Sequence, residues 1–167
     1  MKIEDNFLDQ KEFDKLQKLI LGPDFVWHYD DIIDLFDEDT FQFTHLFYGT
    51  NKPKSTFVTI LNPMLDRINP FSVWRIKANL LTRTSNIVQN SFHIDNLALK
   101  DSLEKSKQWT TSIFYVNTNN GYTKFEDGTK VKSVANRMVI FPANMSHTGT
   151  SCTDEKKRVV INFNYFK

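Results

Sequence analysis

His93 and Asp95, in the run Ser91-Phe92-His93-Ile94-Asp95-Asn96, are the side chains best suited to hold a metal. In an extended strand alternate residues project from one face, so the imidazole and the carboxylate can enter the same cavity with Ile94 packed behind them. Together they make two-thirds of a two-His, one-carboxylate set, which suits non-haem Fe(II) because three ligands on one side leave the other positions open for chemistry. The third ligand must be a histidine from another strand. His147 follows the apolar segment Arg137–Phe141 and the Pro142-Ala143-Asn144 bend, which places it at the mouth of a barrel. A lone His-x-Asp also arises as ordinary buried polar residues, and that reading stays open at this point. Arg158 adds an independent signal, eleven residues after His147 and at the head of an apolar strand. A guanidinium inside a small barrel needs an anion to offset its burial. A dicarboxylate that chelates iron at one end and pairs with Arg158 at the other meets that need, and 2-oxoglutarate fits the description.

Positioning these groups requires strands, and strand signals dominate after residue 70. Val73–Leu81, Thr110–Asn117, Thr123–Phe125, Arg137–Phe141 and Arg158–Tyr165 are rich in β-branched and aromatic residues. Turn formers such as Asn119-Asn120-Gly121 and Asp127-Gly128 separate them. Before residue 70 the periodicity reads as helical. Asp9 and Glu12 form a predicted capping box ahead of Phe13, Leu16, Leu19 and Ile20, and Gly22-Pro23 supplies a left-handed cap and a stop. A second helix is expected over Ser55–Ile68, kinked or restarted at Pro63. The expected class is α+β, a β-sandwich or jelly roll with the amino-terminal helices packed on one face. The division is one domain over 1–167, with 1–70 as helical support and 71–167 as the strand core.

Composition narrows the function. With 21 Lys plus Arg against 20 Asp plus Glu, the chain of 167 residues carries a net charge of +1, which excludes a strongly basic nucleic-acid binder. Fifteen Phe, five Tyr and three Trp argue against disorder. One cysteine, Cys152, excludes an internal disulfide and a multi-cysteine zinc site. No apolar run approaches a membrane span, and the start MKIEDNFLDQ lacks signal-peptide character, so a cytoplasmic protein without a membrane partner is expected.

At this point the sequence resembles the Fe(II)/2-oxoglutarate-dependent dioxygenases, in their prolyl-hydroxylase-like branch. His93-Ile94-Asp95 looks like the family's His-x-Asp motif, and Ile113-Phe114-Tyr115-Val116-Asn117 like the Tyr-x-Asn strand. Asn136–Phe141 looks like the strand leading to the distal histidine, His147. Arg158–Phe166 looks like the closing strand that begins with the cosubstrate arginine. The resemblance covers roughly residues 73–166, with motifs in family order, and implies a double-stranded β-helix. It implies that His93, Asp95 and His147 hold Fe(II), that Arg158 and Tyr115 bind the far carboxylate of 2-oxoglutarate, and that O2 is consumed, with ascorbate as an optional reductant. The implied reaction is hydroxylation of an unactivated C–H, with a peptidyl proline as first guess and another protein side chain or small molecule as alternatives.

Departures are informative. Gly121 is followed by Tyr122 where relatives often have a second Gly. Val160 stands where some relatives have Ser. Lys157, the residue type that collagen-type relatives use for the cosubstrate, adjoins Arg158; alternation lets only one of the two point inward, and Arg158 is the one expected to. Asn164 stands where nucleic-acid-demethylating relatives carry a second Arg, so no nucleic-acid partner is expected. His28 and His45 sit among aromatics and read as packing or surface residues, and Trp74, Phe92 and Trp109 as core or pocket lining. The acidic stretch Asp24–Asp39 reads as a solvated face. Loops Thr82–Phe92 and Asn96–Gln108, with Arg83 and Lys100, are expected to border the entrance. The competing function is a non-catalytic, cupin-like jelly-roll module that binds a small ligand or a partner protein.

Overall fold

The computed structural model describes residues 1–33, 40–95 and 107–167. Its elements, in chain order, are β1 (Lys2–Glu4), α1 (Gln10–Leu21), β2 (His28–Asp30), β3 (Gln42–Gly49), β4 (Lys52–Pro53), a 3₁₀ helix (Thr56–Leu61) and α2 (Asn62–Ile68). There follow β5 (Ser72–Thr82), β6 (Trp109–Tyr115), β7 (Tyr122–Phe125), β8 (Lys130–Lys132), β9 (Arg137–Pro142), β10 (His147–Gly149) and β11 (Lys157–Phe166). An eight-stranded antiparallel sheet runs β1-β9-β6-β11-β5-β3-β2, with β4 beside β3, and faces a three-stranded sheet ordered β10-β7-β8. This is a jelly roll with helices on one outer face.

Alternation along β6 and β11 builds both layers. Phe114, Val159, Ile161, Phe163 and Tyr165 point to the helices, where α1 buries Phe13, Leu16 and Ile20 against them. Phe13 meets the Phe114 ring edge-on at 6.1 Å. Fully burying such a side chain contributes about 1.5–3 kcal/mol, so this apolar stripe, rather than helix propensity, holds α1 in place. Ile113, Tyr115 and Val160 point the other way, joining Val139 and Phe141 against Phe125 and Val131 of the smaller sheet. Asn136, at φ 61°, ties down the amino terminus: its Oδ1 accepts from Leu8 N and its Nδ2 donates to Leu8 O, both at 2.8 Å.

Several expectations are corrected. The segment before residue 70 is not helical throughout. It contributes β1 to β4, and β3 is an integral neighbour of β5. His45 therefore belongs to the main sheet, although its packing role holds: it is 6% exposed, and its ring nitrogens meet Val26 O and Ser55 Oγ. Asp9 occupies the N-cap of α1 but makes no side-chain capping bond, so no capping box forms. Gly22 is extended at φ −77°, not left-handed. Its requirement is steric, because a Cβ would lie 2.7 Å from Lys18 O. The second helical stretch is a 3₁₀ turn that restarts as α2 around Pro63, which sits in the first turn where its missing N–H costs nothing. Asp34, Asp37, Glu38 and Asp39 of the acidic stretch and Lys100 lie outside the described residues, as do 34–39 and 96–106 generally. Among the described residues no helix is long and apolar enough to cross a membrane.

Candidate metal centre and anion pocket

His93 and Asp95 do not lie in a regular strand, contrary to the sequence reading. His93 makes an isolated bridge with the start of β10, its N–H donating to His147 O at 2.9 Å and His147 N–H donating back at 3.0 Å. This main-chain exchange brings together two histidines more than fifty positions apart, with ring centroids 4.9 Å from each other. The ligand atoms of His93, Asp95 and His147 all lie within 4.8 Å of one another.

The hydrogen bonds of the two rings suit ligation. Nδ1 of His93 faces Ser91 O at 3.3 Å and Nδ1 of His147 faces Met145 O at 3.1 Å. A carbonyl only accepts, so the neutral form of each ring carries its proton on Nδ1 and its lone pair on Nε2. Burial holds His147 below the ordinary imidazole value, against the pull of Asp95. For Asp95 burial acts upward, but His147, Arg75 and His93 and the bond from Asn164 together outweigh it and bring the carboxyl to about 2. An ionised carboxylate and two imidazoles are thus brought together, the donor set a divalent ion needs. Asn164 Nδ2 donates to Asp95 Oδ2 at 2.9 Å, and Arg75 Nη2 lies 3.4 Å from Oδ1. Asn164 Oδ1 in turn accepts from Arg75 Nε at 3.1 Å. Sequence reasoning missed both residues, because a lone Asn or Arg on a strand carries no spacing signal.

The triad borders a cavity of about 380 Å³ that Arg158 also lines. Arg158 heads β11 on its inward face and is 3% exposed. Its Nε donates to Ser133 Oγ at 2.9 Å and its Nη2 to Thr123 Oγ1 at 3.2 Å. Both partners are neutral, and Arg158 makes no ion pair among the described residues, so burial depresses its pKa. A desolvated cation whose partners are two hydroxyls and the face of the Tyr115 ring, 5.7 Å away, is a built-in demand for an anion. Lys157 faces the opposite side, where its Nζ donates to Leu21 O at 3.1 Å. Tyr115 is fully buried, and its hydroxyl donates to Thr123 Oγ1 at 2.8 Å. Thr123, not Tyr115, lines the cavity beside Arg158. Phe92 lines it too, whereas Trp74 and Trp109 pack edge-on at 6.4 Å away from it. Cys152 is buried, and its thiol is pushed up by burial.

No family model matches the sequence, and no curated protein matches it either. Solved structures do resemble it. A prolyl hydroxylase from Trichoplax adhaerens, in complex with a hypoxia inducible factor oxygen degradation domain peptide fragment, superposes with a TM-score of 0.70 at 13% identity, over 99% of this chain and 82% of that one. A 2OG-Fe(II) oxygenase family oxidoreductase from Burkholderia pseudomallei gives 0.66 at 11% identity, over 97% and 82%. HygX from Streptomyces hygroscopicus, with nickel, 2-oxoglutarate and hygromycin B bound, gives 0.63 at 9%, over 98% and 81%. The class defined by this likeness is one of fold: the chain adopts the jelly roll of the 2-oxoglutarate oxygenases, as its sequence motifs led one to expect.

Proposed function

We propose that the protein is an Fe(II)- and 2-oxoglutarate-dependent oxygenase that hydroxylates a C–H bond in a peptide or small-molecule substrate. One observation carries the reading: a His93, Asp95, His147 cluster with donor atoms within 4.8 Å shares a cavity with a buried arginine that has no anionic partner among the described residues. The donor set suits Fe(II) better than a structural zinc, since one carboxylate and two imidazoles on one side leave positions open. Fe(II), when bound, would couple the oxidant O2 to 2-oxoglutarate, one oxygen atom entering the substrate C–H bond and the other the succinate formed with CO2.

The chain's own residues do the positioning. Arg158 takes the far carboxylate of the cosubstrate in a bidentate or forked pair. Thr123 Oγ1 already accepts from Tyr115 and Arg158, which leaves its own proton for that carboxylate. Tyr115 acts through Thr123 in this reading rather than on the cosubstrate itself. Asn164 and Arg75 hold Asp95 in its ionised orientation, and the backbone carbonyls of Ser91 and Met145 hold both rings with Nε2 inward. The apolar walls Ile113 and Val160 keep water from the reacting centre. Among the relatives of this fold are a prolyl hydroxylase with a peptide and HygX with hygromycin B, which supports a peptidyl residue such as proline or a small molecule as the class of substrate.

The test is succinate formation from 2-oxoglutarate without added substrate, under air and with Fe(II). Turnover should require iron and vanish in Asp95→Ala. Absence of iron-dependent 2-oxoglutarate affinity, and of the weak metal-to-ligand absorption band under anaerobic conditions, would overturn the reading in favour of a binding module.

A further inference from the structure

The cavity is wider than one cosubstrate requires. It continues from Arg158 on β11 across β5 and β3 to Asp30, at the end of β2. Those are three strand spacings, about 14 Å at roughly 4.8 Å each. A ligand that joins the triad to Arg158 occupies the β11 side and leaves the lobe over β5, β3 and β2 vacant of any assigned role. Two opposite charges stand in that lobe. Lys77 projects inward from β5, facing Asn162 across the β5–β11 ladder, one two-residue step from the Arg75 and Asn164 pair that holds Asp95. Its ammonium has no hydrogen bond or ion pair among the described residues; burial lowers its pKa most, and Asp30 and Asp95 act on it only through space. Asp30, the other charge, also lines the cavity without an ion pair to Lys77. Asn79, next along β5, adds an amide with no hydrogen-bond partner among the described residues, whereas Asn162, on β11 between Arg158 and Asn164, belongs to the cosubstrate side.

A cation and an anion that face one small lobe without meeting are matched by a ligand carrying both charges a few ångströms apart. We propose that the substrate is a free α-amino acid, its carboxylate held by Lys77 with the Asn79 amide and its ammonium by Asp30. The proposal rests on the oxygenase reading, in which Arg158 is taken by 2-oxoglutarate. The size agrees: 380 Å³ is near the lower end of the ~300–1,000 Å³ usual for ligand pockets, and here it must serve cosubstrate and substrate together. Lys77 stands one two-residue step along β5 from Arg75, whose Nη2 is 3.4 Å from Asp95 Oδ1, so a ligand held there has the triad as its neighbour.

The experiment is calorimetric binding of the proteinogenic amino acids to the anaerobic enzyme loaded with Fe(II) and 2-oxoglutarate, followed by the carboxamide and the N-acetyl derivative of the best ligand. Each derivative removes one charge and should bind about tenfold or more weakly. Lys77→Met should erase the discrimination against the carboxamide, Asp30→Asn that against the N-acetyl form, and Lys77→Arg should restore most of the first. If no free amino acid binds, if a peptide blocked at both ends binds as well as the amino acid, or if Lys77→Met weakens 2-oxoglutarate more than the amino acid, the proposal is overturned. Failure of the oxygenase reading shows separately, as a wild-type protein without iron-dependent 2-oxoglutarate binding.

Discussion

Asn164 donates from Nδ2 to Asp95 Oδ2 at 2.9 Å, so the carboxylate presents its other oxygen, Oδ1, toward His93 Nε2 at 3.7 Å. Asn164 also donates to Thr111 Oγ1 at 3.1 Å and accepts from Arg75, so its amide cannot turn without breaking the set. Partners that orient a metal ligand typically govern affinity by about 10–100-fold. Asn164→Leu, which fills similar space without the donor, should weaken Fe(II) binding by that order in an anaerobic titration. An unchanged affinity would show that Asp95 orients itself without Asn164.

Arg158 meets two hydroxyls, and its charge has no protein counterpart among the described residues. Arg158→Lys keeps the charge and loses the fork, so the KM for 2-oxoglutarate should rise by about tenfold or more while iron affinity stays near wild type. Equal loss of both would mean that the substitution disturbs the barrel as a whole.

Gly121 adjoins this arginine. A Cβ there would lie 2.7 Å from Arg158 Cδ and 2.7 Å from Ser151 O. Gly121→Ala should therefore displace the guanidinium and raise the KM for 2-oxoglutarate, with a smaller effect on metal binding. Unchanged kinetics would show that the loop yields instead of the arginine.

The metal-free protein should lose stability in mild acid. His147 and His45 are both depressed below 6.5 by burial, so the unfolded chain takes up protons that the folded chain refuses. Their contribution is complete above about pH 6.5 and is lost as the pH falls below it. Asp95, at about 2 against an ordinary 3.8, contributes stability that is present above 3.8 and lost as the pH falls toward 2. Urea midpoints measured at pH 7.5 and 5.5 should differ in that direction, and His147→Asn should flatten the difference.

Leu16 is fully buried where α1 meets the large sheet. Leu16→Ala should cost about 2–5 kcal/mol in denaturant unfolding, the range for a large-to-small change in a packed core. A smaller loss would mean that the helix can settle into the space left behind.

How far the sequence reached depends on the kind of signal. Five strands after residue 70 were legible because β-branched and aromatic residues recur between turn formers, and they became β5, β6, β7, β9 and β11 within a residue or two at most ends. β8 and β10 were missed, since three-residue strands carry too little alternation. β3 went unrecognised although Phe41, Phe43, His45 and Phe47 alternate. The aromatic run reads equally as a packed loop until β5 is placed beside it.

The site divides in the same way. His93, Asp95, His147 and Arg158 stand out in the sequence because their residue types and order suit one chemistry. That His93 and His147 clasp each other through the backbone and that Tyr115 turns to Thr123 are matters of register, which local sequence does not encode. Lys77, Asn79, Asn162 and Asn164 are single polar residues on strands, silent until two ladders align them on one floor. The chain by itself determined which elements form and which side chains can do the chemistry, through alternation and residue type. Only the tertiary structure decided which of them meet, because strand pairing joins residues that are far apart along the chain, and one step of register turns a side chain to the other face.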